Sequence, residues 1–311
     1  MIEIVAQSEA MREAIGLAER VAATDANVLV TGESGAGKDV VASFIHQRSR
    51  RRAHSLVKID CATLPGDLLE AELFGYERGA FTGASETKPG RLEAAHRGTL
   101  VLDEIAYLPT DAQAKLLRVI ETREFERLGG RRTIKVDARL VALTNVDLAQ
   151  AVKRRDFRED LFYRLNVVHI QVAPLRRRKE DLPELIRSFL KNYAVKHGRS
   201  VTGVAPAVLS LLKKYEFPGN VRELANTIER AVIVATGRRI EEVDLPEAIR
   251  AAVKQQQRRE QPNTLAQIEA EYVSEILAAT KGNKTEAARI LGISRKNLYE
   301  RLAREKDTGK G

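Results

Sequence analysis

The sequence predicts an α/β protein built on a parallel sheet, followed by a helical subdomain and a small all-α end. Three observations carry that expectation. Short apolar β-type runs alternate with helical patterns over the first two thirds, as parallel strands with crossover helices require. A glycine-rich turn joins the first β-run to a helix, the context of a phosphate-binding loop. Beyond Pro174 the β signal fades and helical periodicity replaces it. With 311 residues, 43% of them hydrophobic and 31% charged, the chain can bury a sizeable core without disulfide or metal staples, and wholesale disorder is excluded.

The β-type runs are 27–31, 56–61, 99–102, 139–144 and 167–172. Segments 182–194, 205–214 and 221–234 read as helices, with Pro183, Pro206 and Pro218 near their starts, where a missing N–H costs nothing. The polar stretch 254–263 reads as a linker or a solvated helix end, and a last helical cluster runs from 265 to about 305. The expected domains are an α/β subdomain at 1–173, a helical lid at 174–250, a linker at 251–263 and a terminal domain at 264–311.

Lys and Arg total 52 against 43 Asp and Glu, which favours a polyanionic partner without identifying it. Residues 281–306 hold eight basic and three acidic side chains, so the carboxyl end is the expected nucleic-acid contact. The single cysteine, Cys61, excludes an internal disulfide framework and Cys-rich zinc modules. Five scattered histidines offer no ligand spacing. No basic segment precedes an apolar core at the amino terminus, and no apolar run approaches the ~20 residues that span a bilayer. A cytoplasmic location is expected. The basic runs 48–52 and 176–179 read as solvated faces or phosphate-side surface and are assigned no site.

The first β-run leads into Gly32-Glu33-Ser34-Gly35-Ala36-Gly37-Lys38, a GxxxxGK between strand and helix. Its glycines let backbone N–H groups curl around phosphate oxygens, and the helix start adds partial positive charge. Lys38 is placed to reach the β- and γ-phosphates of a nucleotide. Asp39 stands where the pattern has Ser or Thr. A second run, Gly98-Thr99-Leu100-Val101-Leu102, ends in Asp103 and Glu104, and carboxylates are costly there unless a cation or proton transfer uses them. Asp103 suits Mg²⁺, and Glu104 suits orienting and deprotonating a water. A third run, 139–144, ends at Asn145, a neutral group able to fix that water. Together these point to an ATPase using ATP and Mg²⁺.

Gly79-Ala80-Phe81-Thr82-Gly83-Ala84 resembles the GAFTGA loop of the sigma-54-dependent transcription activators, bacterial enhancer-binding proteins of the AAA+ class. The resemblance covers nearly the whole chain. It implies an AAA+ P-loop sheet with a helical lid and a hexameric ring, with a dimer as a resting form. It also implies a loop that grips sigma-54 as hydrolysis remodels the polymerase closed complex. The loop's own chemistry agrees: Gly79 and Gly83 free the backbone, and a Phe81 tip needs a partner to bury it. By the same resemblance Arg158 and Arg164 lie in an arginine-finger segment acting on a neighbouring subunit's nucleotide. On one continuous helix their spacing of six residues is 600°, about 120° off a common face, which assigns them different jobs. Phe217-Pro218-Gly219-Asn220-Val221-Arg222 resembles the sensor II segment, with Arg222 reading nucleotide in cis, and 124–130 resembles the second pore loop. Two departures bear on chemistry. Asp39 departs from the Ser or Thr of the general phosphate loop, although the family usually has Glu or Asp there, and leaves Mg²⁺ mainly to Asp103, phosphates and water. Asp60 stands where the family often has an asparagine that restrains the catalytic glutamate.

The carboxyl end reads as a helix, a glycine turn at Gly292 and a second helix capped by Ser294, similar to a Fis-type helix-turn-helix for double-stranded enhancer DNA. Arg295, Lys296, Asn297 and Tyr299 are the candidates for base or phosphate contact, and Lys284, Thr285 and Arg301 for phosphates. Leu265, Ile268, Tyr272, Ile276 and Ala279 form a stripe suited to dimerisation or to core. The family match begins at about Glu3, leaving no expected room for a receiver domain. Either a separate regulator acts in trans, or the chain is a piece of a longer one. The competing reading is a DNA-binding regulator with a weakened or non-catalytic ATPase. Asp60 is its only support, because Lys38, Glu104 and both arginines are present.

Overall fold

The computed structural model describes residues 4–260, 265–280 and 282–299, and the chain divides into two compact units, 1–246 and 247–311. In the first unit five strands form one sheet: β1 (Val28–Thr31), β2 (Leu56–Asp60), β3 (Thr99–Asp103), β4 (Arg139–Thr144) and β5 (Val168–Gln171). Every expected β-run is a strand. All four pairings are parallel, in the spatial order β2-β3-β4-β1-β5. β1 therefore connects outward to β2 on one side and has β5 on the other, a topological switch point whose crevice lies at the strands' carboxyl ends.

Helices cover both faces, so β1, β3 and β4 are buried along nearly their whole length. By contrast β2 and β5, at the two edges, carry polar residues between apolar ones. Leu29, Leu100, Leu102, Leu140 and Ala142 pack on one face with Leu69, Phe74, Leu116 and Leu161. Val28, Val30, Val101, Val141 and Leu143 pack on the other with Ala18, Val41 and Ile45. Burying each such leucine or valine contributes roughly 1.5–3 kcal/mol, which anchors the strand ends that carry the polar residues.

Two antiparallel hairpins stand off this sheet: Gly75–Tyr76 pairs with Lys88–Pro89, and Glu124–Glu126 pairs with Thr133–Lys135. After β5 the unit becomes helical, with Leu182–Lys196, Pro206–Lys214 and Asn220–Val234 the main helices. Pro183 and Pro206 sit in the first turns of their helices, as expected. Pro218 precedes Asn220–Val234. One short parallel pair, Gly203–Val204 with Arg239–Ile240, was not anticipated because two residues carry no readable period.

In the second unit, the stretch read as a linker at 251–263 is helical as far as Glu260, within a helix Glu247–Glu260, and 261–263 lie outside the described residues. Leu265–Ala279 and Lys284–Ile290 follow, then a helical turn at 295–299. Val273, Ala287, Ala288 and Leu298 are buried together, with Ile276, Leu277, Leu291 and Ile293 around them. Ile276 of the expected stripe is thus core, whereas Tyr272 is exposed. Among the described residues no helix is long and apolar enough to cross a membrane.

Candidate nucleotide site and its surrounding loops

The end of β1 turns sharply into the helix Lys38–Arg48, and the turn needs its glycines. Gly35 has φ 72°, and a Cβ there would sit 2.5 Å from the Gly219 carbonyl oxygen. Gly37 caps the helix at φ 102° with no side-chain hydrogen bond, and nothing lies within 4 Å of where its Cβ would be. The helix start therefore keeps amide donors and open space for an anion. Lys38 is buried, its Nζ donating to the Gly32 carbonyl at 2.9 Å and lying 3.5 Å from Glu104 Oε1. These features fit nucleotide phosphates.

Asp103 closes β3, and Glu104 follows in a left-handed conformation, φ 51° and ψ 49°. A glutamate in that region stores about 1–2 kcal/mol of backbone strain. The Asn145 backbone N–H donates to Glu104 Oε2 at 3.1 Å. Asn145 thus meets Glu104 through its main chain, where a side-chain role toward water was expected. Glu104 is held between Lys38 and Asn145. Asp103 Oδ1 accepts from the Glu104 N–H at 3.0 Å, and its Oδ2 lies 2.9 Å from Lys58 Nζ. A carboxylate at the end of a central strand, beside the phosphate loop, is the donor expected for Mg²⁺. Asp60, opposite Asp103 in the register, accepts from the Ala62 N–H at 2.9 Å. Burial, with the charges of Asp60, Asp103 and Glu104, pushes the Cys61 thiol up to about 12, which makes it inert.

The helical part closes over the same loop. Arg222 Nη1 donates to Ser34 Oγ at 3.1 Å, and the Val221 and Arg222 N–H groups donate to the Gly35 carbonyl. Buried Asn220, at φ 54°, donates to Glu33 Oε2 and the Ser34 carbonyl and accepts from the Leu175 N–H. Arg176 pairs with both Glu33 oxygens, and Arg178 donates to the Ala36 carbonyl. Of the run 176–179, Arg176 and Arg178 grip the phosphate loop, while Lys179 donates to the Lys213 and Tyr215 carbonyls, so the run is the phosphate-side surface of its two readings rather than a solvated face. Isolated basic residues give no sign of a partner more than 140 positions away, so sequence reasoning missed Arg176, Arg178 and Asn220.

The Gly79–Ala84 loop crowns the first hairpin. Gly79 and Gly83 have φ 83° and 106°, the Gly79 N–H donates to the Ala84 carbonyl, and Ala84 is buried. Phe81 is 41% exposed, its edge against Tyr76 with centroids 5.0 Å apart, and Thr82 is exposed beside it. The second loop supports the first: a Cβ on Gly129 would fall 2.8 Å from that of Ala80. Arg127 also bridges Glu77 and Glu93 at 3.0 and 2.7 Å.

Comparison with known families decides the relationship. Residues 4–171 match the sigma-54 interaction domain, 176–262 an AAA+ ATPase lid domain, and 264–304 the bacterial regulatory protein, Fis family. The chain belongs to the sigma-54-dependent activator family. It is 44% identical to the regulatory protein AtoC of Escherichia coli K12, covering 96% of this chain and 67% of that protein. It is 46% identical to the transcriptional regulatory protein ZraR of Klebsiella oxytoca, covering 97% and 68%. The crystal structure of NtrX from Brucella abortus in complex with ATP aligns with a TM-score of 0.72 at 36% identity, over 97% of this chain and 69% of that one. The fold is therefore an AAA+ ATPase with a helical lid and a Fis-type helix-turn-helix, an ATP-binding transcription regulator.

In this activator the two arginines are held by partners of their own, none of them in the phosphate loop. Arg158 is the N-cap of the helix Glu159–Leu165, not part of it, so the continuous-helix spacing assumed from sequence does not apply. Its guanidinium grips Asp160 at 2.7 and 3.0 Å, while its N–H donates to buried Gln113. It lines an open cavity of about 660 Å³ with Lys153, Arg155, Asp160 and Tyr163. Arg164 pairs with Glu121 at 3.0 Å.

In the second unit Ser294 caps as expected, its Oγ accepting from the Asn297 N–H at 3.2 Å. Asn283 caps the preceding helix through Thr285 and Glu286, a cap the sequence reading passed over. Arg295, Lys296, Asn297 and Tyr299 are exposed together. Lys284 Nζ lies 4.6 Å from the centre of the Tyr299 ring, joining two of the expected DNA contacts. Arg301 lies outside the described residues.

Proposed function

We propose that this activator binds enhancer DNA through its helix-turn-helix, assembles as a hexameric ring in the cytoplasm, and hydrolyses ATP to convert the sigma-54 polymerase closed complex into an open one. The observation that carries this reading is the Gly79–Ala84 loop, whose tip offers Phe81 and Thr82 to a partner while its base is held by the hairpin Gly75–Tyr76/Lys88–Pro89 and braced by the second loop. Residues Gly32 to Asp39 hold the phosphates, with Arg222 above them, and Asp103 holds Mg²⁺. Bound Mg·ATP supplies the phosphoanhydride whose cleavage drives the loop. Glu104 orients and deprotonates the attacking water, and its grip on Lys38 and Asn145 fixes where that base starts. Arg158 and Arg164 complete the site of the neighbouring subunit, stabilising charge in the transition state. Arg295, Lys296, Asn297 and Tyr299 read or hold the major groove, with Lys284, Thr285 and Arg301 on phosphates.

The deciding experiment mixes the protein with sigma-54 in the presence of ADP and aluminium fluoride and follows complex formation by gel filtration. A complex that needs both the nucleotide mimic and Thr82 supports the reading, with Thr82→Ala as the control. Intact ATP turnover without any complex would point to a different client. Loss of both would favour a regulator with a decayed ATPase.

A further inference from the structure

Lys58 was absorbed by none of the roles above, yet it sits in the middle of the expected metal site. It lies on β2, two residues before Asp60 and so on the same face of the sheet. Its Nζ is 2.7 Å from Asp39 Oδ1 and 2.9 Å from Asp103 Oδ2. One ammonium touches both carboxylates, so their oxygens are no more than two hydrogen-bond lengths apart. A small closure of that gap would let both carboxylates share one divalent ion, whose oxygen ligands lie about 2.0–2.6 Å from it.

The problem it answers is specific to this loop. Where a P-loop carries Ser or Thr, the hydroxyl is a neutral metal ligand, and the site has one carboxylate. Here Asp39 adds a second negative charge, beside an Asp103 that is only 16% exposed. Such a group attracts a bare divalent ion before any nucleotide arrives, because hard oxygen donors and net charge set that affinity. Lys38 is already committed to Glu104 and the Gly32 carbonyl, so Lys58 is the cation facing Asp39 and Asp103. Its side chain is 43% exposed and hangs on a flexible stem, able to leave without moving the strand.

We propose that Lys58 is a resident cation that keeps the Asp39–Asp103 pair from capturing a free divalent metal, so that metal enters this site with the nucleotide. The inference rests on the ATP-site reading. Lys58 is a positioning residue for metal entry. When nucleotide phosphates bring their own charge and metal, the ammonium releases Asp103 and stays with Asp39.

The test measures Mn²⁺ binding to the full chain by electron paramagnetic resonance, with and without ADP, for the wild type, Lys58→Met, Lys58→Gln and the double variant Lys58→Met/Asp103→Asn. Removing one positive charge a few ångströms from a divalent ion is expected to tighten nucleotide-free Mn²⁺ binding about tenfold. Both neutral variants should show it, and the double variant should lose it, which locates the metal at Asp103. Wild-type protein should hold Mn²⁺ tightly only with ADP. Neutral variants that bind free Mn²⁺ no better than wild type, while all bind it with ADP, would overturn the role of Lys58 and leave the nucleotide site standing. Failure of every protein to retain Mn²⁺ even with ADP would overturn the site reading and this inference together.

Discussion

Glu33 and Arg176, 143 residues apart, form a two-pronged ion pair: Arg176 Nη1 donates to Glu33 Oε2 at 2.7 Å and Nη2 donates to Oε1. Asn220 adds a third donor at 3.1 Å to Oε2. The hydrogen bonds from Arg176, then from Asn220, pull the Glu33 carboxyl down to about 2. The lid is thus fastened to a side chain of the phosphate loop itself, beside the backbone contacts at Gly35 and Ala36.

Breaking that pair should loosen the lid in a pH-dependent way. The folded-state pKa of Glu33 is depressed from 4.5 to about 2, so the pair's contribution is fully present above 4.5 and fades as pH falls toward 2. Arg176→Ala is expected to melt at a lower temperature than wild type at neutral pH, with the gap closing as acid is added. Thermal melts across pH 3 to 8 check this, and a gap independent of pH would assign the effect elsewhere. Nucleotide affinity, measured by fluorescent ADP titration, should fall with the same substitution.

Glu104→Gln keeps the hydrogen bond from the Asn145 amide available but removes the base. Turnover should drop about 10²- to 10⁴-fold with nucleotide affinity changed by only a few-fold, as read by steady-state ATPase assays beside ADP titration. Equal loss of binding and turnover would make Glu104 a structural group instead.

Arg158 and Arg164 predict complementation between subunits. Lys38→Ala lacks a working loop but keeps its arginines, and Arg158→Ala has the reverse. Each alone is expected to lose about 10³-fold or more in turnover. Mixed in equal amounts they should recover part of it, because an intact Arg158 can then face an intact Lys38. A mixture no more active than its parts would argue that Arg158 acts within its own subunit or only structurally.

The terminal domain separates fold from contact. Leu298 is fully buried, and Leu298→Ala should cost that unit about 2–5 kcal/mol, seen as loss of helical signal on warming. Arg295 is exposed at the start of the last helical turn, so Arg295→Ala should leave the fold intact. It should weaken DNA binding and, where Arg295 contacts phosphate, lower the slope of log K against log salt by about one.

Much of this architecture was legible from local pattern. All five strands lie where β-type runs predicted them; β1, β3 and β4 announce themselves as near-continuous apolar runs because they are buried on both faces. The phosphate loop, the carboxylates after β3 and the Ser294 cap were equally local. What could not be read were roles created by distant pairing. Lys58 looks like any strand lysine until β2 is set beside β3, and Arg176 looks solvated until the lid folds back on Glu33. The helix assumed through Arg158 failed for a smaller reason: the chain is extended at Arg158, ψ 135°, and helical only from Glu159. Tyr272 shows the limit of a stripe, since residues spaced on one helical face divide here between core and solvent.

The first helix of the chain, Glu9–Ala22 with Ser8 as its cap, is secured by a residue that is synthesised much later. Fully buried Asp181 accepts from the N–H groups of Gln7 and Ser8, both at 2.7 Å, and from Ser8 Oγ at 3.0 Å, across separations of 173 and 174 positions. The amino-terminal helix packs mainly against the helix Lys38–Arg48 and β5, but the Asp181 hydrogen bonds to its leading end can form only once the lid has emerged. Closing so long a loop is entropically slow, and the reward for it comes only in the last stage of assembly. A ribosome-bound chain stopped after β5 would thus carry a complete sheet without the Asp181 contacts to its first helix, and Asp181 then joins Arg176 and Arg178 in holding the lid to the body.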